Sequence, residues 1–175
     1  MKNKVAVITG GSSGIGEALA YKFSQENFNI VITGTNKDRL NNVLSKIKKN
    51  GVSCEGVIHD ISSSNDVKKM VDISIRKFGR IDVLICNAGI SIRSLFEDLD
   101  LNTFEKLFRI NFLGTVYSVK HSLPHLIKTS GTIIGISSLN GFIATPTRTA
   151  YVSSKHAMQG LSLIHISEPT RLTSI

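Results

Sequence analysis

Five short apolar runs, each followed by a helical stretch, leave this chain very few folds. The runs fall at residues 4–8, 29–33, 54–58, 81–86 and 132–136. Leu40, Val43, Leu44 and Ile47 recur at helical spacing and predict a helix over 37–49. Val67, Met70, Val71 and Ile75 do the same over 64–78, and Gly51 and Gly79 end the two helices. A longer helix is predicted over 102–128, and another from Tyr151 to about Leu161. Strands joined by helices pair in parallel, and a parallel sheet is covered on both faces. The pattern therefore predicts a doubly wound α/β domain of three layers, α/β/α. Its ligand belongs at the C-terminal strand ends, near the point where the strand order reverses.

The first βα turn carries the sharpest local signal. Thr9-Gly10-Gly11-Ser12-Ser13-Gly14-Ile15-Gly16 separates the first apolar run from a stretch of helical composition, 17–23. Gly10 can make the tight turn, Gly14 lets backbone approach a pyrophosphate, and Gly16 lets the helix lie close to the sheet. The helix N-terminus offers unpaired N–H groups to the anion. No Gly-Lys-Ser/Thr ending follows, which sets a P-loop aside. The turn reads as a dinucleotide site in a Rossmann-type sheet. The plain alternative is a glycine-rich turn without a ligand.

At 175 residues, 41% hydrophobic and 19% charged, the chain has the size and make-up of one soluble domain. No run approaches the roughly 20 apolar residues a membrane span needs. Met1-Lys2-Asn3-Lys4 leads straight into the first strand, leaving no room for a signal peptide. Cys54 and Cys86 lie on separate strands and read as reduced, partly buried thiols of a cytoplasmic protein, neither a bridge nor a metal pair. The net charge of +8 is spread over helix faces, as at Lys46, Lys48, Lys49, Lys68 and Lys69, without interleaved aromatics. That pattern argues against nucleic acid and for a solvated surface that favours an anionic cofactor or substrate.

Further candidates stand at strand ends and helix starts. Gly34 and Thr35 end the second strand where an NAD site usually carries an acid for the ribose hydroxyls. Without that acid a 2′-phosphate is not repelled, which tilts the cofactor from NAD towards NADP. Lys37 and Arg39 are either its partners or solvated residues of a helix start. Asp60 either accepts from an adenine amino group or caps a turn. Tyr151 and Lys155 are four apart and share a helix face. A free tyrosine, with a pKa of about 10, is a poor acid–base at neutral pH, and a neighbouring ammonium favours its phenolate. Ser138, just past the fifth strand, can donate to a carbonyl oxygen as charge develops there. Hydride would come from the nicotinamide and the proton from Tyr151. Asn111 is an odd polar residue between Phe108 and Phe112, suited to a helix kink, to a hydrogen bond in the core, or to the site.

Together, Thr9-Gly10-x-x-x-Gly14-Ile15-Gly16, Asn87-Ala88-Gly89, Asn111, Ser138 and Tyr151-x-x-x-Lys155 resemble the short-chain dehydrogenase/reductase family in order and spacing. So do the step from Ser138 to Tyr151 and Pro146 within it. The likeness covers residues 1–161. It implies an NAD(P)-dependent oxidoreductase that interconverts a small carbonyl compound and an alcohol and assembles as a homodimer or homotetramer. It implies that Ser12, Ser13 and Ile15 join the glycines at the dinucleotide, and that Asn87, Ala88 and Gly89 support the nucleotide core. Asp60 and Ile61 would flank the adenine. Lys155 would bind the nicotinamide ribose, and Asn111 would hold a water linking Lys155 to solvent. A non-catalytic dinucleotide-binding sensor or interaction protein is the competing function on such a fold.

The end of the chain departs from the family. Leu161-Ser162-Leu163-Ile164-His165-Ile166-Ser167-Glu168-Pro169-Thr170-Arg171 resembles a translated transposon-type sequencing adapter. Residues 162–175 are accordingly predicted to be a non-native tail, with no site at His165 or Glu168. The domain is expected to be cut off after its fifth strand and the start of the next helix. The polypeptide as written is then expected to fold poorly or lack activity, with an exposed sheet edge.

Overall fold

The structure, a computed structural model, describes residues 3–167. Five parallel strands, β1 (Val5–Ile8), β2 (Asn29–Gly34), β3 (Cys54–Ile58), β4 (Val83–Cys86) and β5 (Thr132–Gly135), lie in the order β3-β2-β1-β4-β5. This is the predicted doubly wound sheet. Alternation along β1 sorts its side chains: Val5 and Val7 enter one core, and Ala6 and Ile8 the other. Helices α1 (Gly14–Gln25) and α2 (Lys37–Lys48) cover the second face through Ala20, Leu40, Val43 and Ile47. Helix α3 (Ser64–Phe78) covers the first face through Val67, Met70 and Val71, each worth about 2 kcal/mol when fully buried. Asn36 caps α2 by accepting the Arg39 N–H at 2.9 Å, and Gly79 ends α3 with a φ of +77°.

The long helix predicted over 102–128 is interrupted. Helix α4 (Leu101–Phe108) passes through a π segment (Arg109–Leu113) into α5 (Gly114–Thr129), which packs Val119 and Leu126 beside α3. The extra residue in the π turn accompanies Asn111, whose carboxamide leaves the helix for partners outside it. After a 3₁₀ turn (Leu139–Gly141), helix α6 runs over Thr149–Ser167, beyond the predicted end. No glycine or proline lies between Leu161 and Ser167 to stop it. The rest of the proposed tail, 168–175, lies outside the described residues.

Cys54 and Cys86 are free and lie on opposite faces of the sheet, more deeply buried than predicted. Burial pushes the Cys86 thiol up to about 12, so it is inert at neutral pH. Among the described residues no helix is long and apolar enough to cross a membrane, and no cluster of His, Cys, Asp or Glu could hold a metal.

Candidate active site

A groove of about 850 Å³ runs along the C-terminal strand ends, across the point between β1 and β4 where the connections diverge. Its first wall is the turn after β1. Gly10 and Gly14 have φ of +64° and +55°, which side chains rarely adopt. Gly16 is constrained by space: a Cβ there would lie 2.4 Å from the Gly10 carbonyl oxygen and 2.5 Å from Asn87 Nδ2. Gly10, Ser12, Ser13 and Ile15 line the groove. Ser13 stands at the N-cap of α1 without making a capping bond, so the first-turn N–H groups keep no side-chain acceptor.

Thr9 works behind this wall. Its buried Oγ1 accepts the N–H groups of Asn87 and Ala88, each at 3.0 Å. Asn87 Nδ2 returns bonds to the carbonyls of Thr9 and Gly10 at 3.0 and 3.1 Å. The turns after β1 and β4 are thus stitched together, and Asn87, Ala88 and Gly89 also line the groove. At one end stand Thr35, Asn36 and Arg39, while Lys37 is not part of the wall. Asp60 caps its turn, its Oδ1 accepting the Ser62 N–H at 2.9 Å, and it also lines the groove. Ile61 lines the groove and packs on Gly114, where a Cβ would lie 2.7 Å from its Cγ1.

Tyr151 and Lys155 meet at the other end, on the first turns of α6. The Lys155 ammonium lies 5.8 Å from the centre of the Tyr151 ring. Only 4% of Lys155 is exposed, and its Nζ donates to the Ile136 carbonyl at 2.7 Å. Burial lowers its pKa below the ordinary lysine value. Asn111 is fully buried behind them. Its Oδ1 accepts the Ile90 N–H at 2.8 Å, and its Nδ2 donates to the Ile90 carbonyl at 2.9 Å and to Ser154 Oγ at 3.1 Å. Asn111 thereby pins the groove wall at Ile90 to α6. Ser138 is not on the groove wall, whereas Ser137 is. Ser138 Oγ accepts the Asn140 N–H at 3.2 Å, which leaves its hydroxyl proton to donate.

Several residues of this end escaped the sequence reading. Arg148 places its guanidinium 5.9 Å from the Tyr151 ring centre, and its Nη1 donates to Ser91 Oγ at 2.9 Å. The preceding Thr147 has a φ of +65°, a strained position for a β-branched residue, and accepts the Ser94 N–H at 2.9 Å. Ser154 was also missed. Asn111 was conspicuous as a polar residue among aromatics, but nothing in the sequence named its partners.

His59, at the end of β3, also went unnoticed. It is 8% exposed, lines the groove, and neither ring nitrogen has a hydrogen-bond partner. Burial lowers its pKa, outweighing the opposing pull of its own backbone carbonyl, Asp66 and Asp60. The unfolded chain therefore takes up a proton near the ordinary histidine pKa, about 6.5, before the folded one does. Stability is expected to fall as pH drops through the window below that value and to level off below the depressed folded pKa. Urea titrations of wild type and His59→Phe at a series of pH values check this; equal acid sensitivity would contradict it.

The profile described as short chain dehydrogenase matches residues 4–168. The chain belongs to the short-chain dehydrogenase family. An uncharacterized oxidoreductase of Staphylococcus epidermidis is 35% identical over 163 residues, covering 93% of this chain and 70% of the relative. Among solved structures, an alcohol dehydrogenase from the archaeon Thermococcus sibiricus, complexed with 5-hydroxy-NADP, superposes with a TM-score of 0.94 at 28% identity. That match covers 98% of this chain and 74% of the other. An NAD⁺-bound xylitol dehydrogenase gives 0.90 at 28% identity, with 95% and 65% covered. This member of the family thus shares its overall fold with two solved dehydrogenases.

Proposed function

We propose that this protein is an NAD(P)-dependent oxidoreductase that interconverts a ketone or aldehyde and an alcohol. The observation that carries the reading is the pairing, in one groove, of an uncapped glycine-rich turn with Tyr151 and the buried Lys155. A dinucleotide suits the residues present: Gly16 leaves no room for a side chain between helix and turn, and the free N–H groups of α1 suit a pyrophosphate. The bound cofactor supplies or accepts the hydride. Tyr151 holds the proton that goes to the carbonyl oxygen; Ser138, which lies off the groove wall, keeps its hydroxyl proton and would donate to that oxygen only by turning towards the groove. Lys155 stabilises the charge left on Tyr151 and, with two of its three N–H donors given to the Ile136 carbonyl and Met158 Sδ, keeps one for a ribose hydroxyl. Asn111 fixes the wall and α6 through its carboxamide, which is fully engaged. Thr9, Gly10, Ser12, Ser13, Gly14, Ile15 and Gly16 bind or shape the pyrophosphate site. Thr35, Asp60 and Ile61 take the adenosine end, and Asn87, Ala88 and Gly89 support it. A homodimer or homotetramer belongs to the same reading, with exposed Leu101 and Ile127 offering apolar surface.

Carbonyl-dependent oxidation of NADPH or NADH by the full-length protein, across a panel of ketones and aldehydes, tests the reading. Cofactor binding with no turnover on any of them would favour the sensor. NADP is the favoured cofactor because Arg39 lines the groove beside Thr35 and no acid stands at that strand end. Arg39→Glu is expected to weaken NADPH binding about tenfold while leaving NADH binding unchanged or tighter. Equal dissociation constants for the two cofactors in wild type would overturn the preference. The reading of 162–175 as a non-native tail is checked by sequencing the genomic locus past the codon for Gly160.

A further inference from the structure

We propose that the Tyr151 end of the groove takes a carbonyl compound bearing an anionic group, such as an oxo acid, and that Arg148 holds that group. This inference rests on the carbonyl-reducing reading of the groove and names its substrate class. It starts from the charge balance. The groove wall carries Arg39, Lys106 and Lys155 against one carboxylate, Asp60, which stands after β3 at the opposite end from Tyr151. Among the described residues neither Arg148 nor Lys106 forms an ion pair. With Arg39 assigned to the cofactor and Lys155 to Tyr151 and the ribose, Lys106 and Arg148 are the cations left without an assigned partner.

Arg148 is not itself on the groove wall, but it contacts two residues that are, Ser91 and Tyr151, and so stands at the rim of this end. A guanidinium carries five N–H donors, and Ser91 Oγ takes one of them at 2.9 Å. The remaining fork matches a carboxylate, which it can bind through two parallel bonds. The Ser91 bond and the Tyr151 ring, 5.9 Å away, hold the group in position before any ligand arrives. That pre-organisation lowers the cost of binding. Arg148 is also half-buried, where the attraction is screened less than at an open surface. Ile90, Ile110 and Ile136 add apolar wall, so the rest of the substrate should be hydrocarbon. The alternative is that Arg148 only props the Ser91 segment against α6.

Calorimetric titration of the full-length protein with benzoylformate and with methyl benzoylformate, with NADP⁺ present so that neither is reduced, separates the two; reduction is assayed separately with NADPH. The acid is expected to bind about tenfold tighter than its ester, and added salt should shrink the gap. Arg148→Gln, which can still donate to Ser91, is expected to bring the two within about twofold. Ser91→Ala, which keeps the cation, should retain the preference. Equal binding by wild type, or a preference that survives Arg148→Gln, would overturn the proposal. If Arg148→Gln does not fold, the wild-type ratio and its salt dependence decide. Preference for the acid without reduction of either compound supports this inference and sinks the carbonyl-reducing reading; reduction of both with equal binding does the reverse.

Discussion

Substituting Gly16 with valine is expected to weaken binding of a nicotinamide dinucleotide by about a hundredfold or more. The first carbon of the new side chain would fall 2.4 Å from the Gly10 carbonyl oxygen and 2.5 Å from Asn87 Nδ2, and the Gly10 oxygen belongs to backbone. Backbone cannot step aside as a flexible side chain can. Helix α1 must retreat from the turn, carrying with it the N–H groups that would meet the pyrophosphate. Each hydrogen bond to a charged group is worth about 1.5–3 kcal/mol, so losing two already gives the expected factor. Overpacking adds about 1–3 kcal/mol of lost stability. Gly79→Ala is the control, since Gly79 is constrained by its positive φ, which Gly16 lacks, and has nothing within 4 Å of its Cβ position. It should cost about 1 kcal/mol of stability and leave affinity unchanged. Fluorescence titration with NADPH, beside thermal melts, reads both quantities.

Tyr151→Phe is expected to cut turnover by about a hundred- to ten-thousandfold, the range of a single general acid–base group, without changing the cofactor dissociation constant. The ring would keep its place beside Arg148 and above Lys155, and only the exchangeable proton would be lost. Lys155 is buried and bonded to the Ile136 carbonyl in the wall, a setting that keeps its charge close to Tyr151 and away from bulk water. A loss of both turnover and affinity would instead assign Tyr151 to binding.

The layered fold was legible because its signal is periodic. Val5 and Val7 alternate with Ala6 and Ile8, and Val67, Met70 and Val71 repeat at helical spacing, whatever their distant neighbours do. The glycine turn was legible for a related reason: a strand–turn–helix junction limits what its glycines can be for. What the sequence concealed depends on contacts between distant segments. The π turn at Asn111 is set by Ile90 and Ser154, residues 21 and 43 positions away. Arg148 looked like any loop cation until its partner Ser91, 57 positions earlier, was in place. His59 gave no pattern, because an unpartnered imidazole is defined by what surrounds it.

A crystal structure of the full-length protein with NADP bound tests the central claim most directly. The pyrophosphate is predicted to lie over Ser12 to Ile15, the adenine beside Asp60 and Ile61, and the nicotinamide next to the Tyr151 hydroxyl. A dinucleotide bound elsewhere, or lying in the groove with its nicotinamide far from Tyr151, would contradict the account.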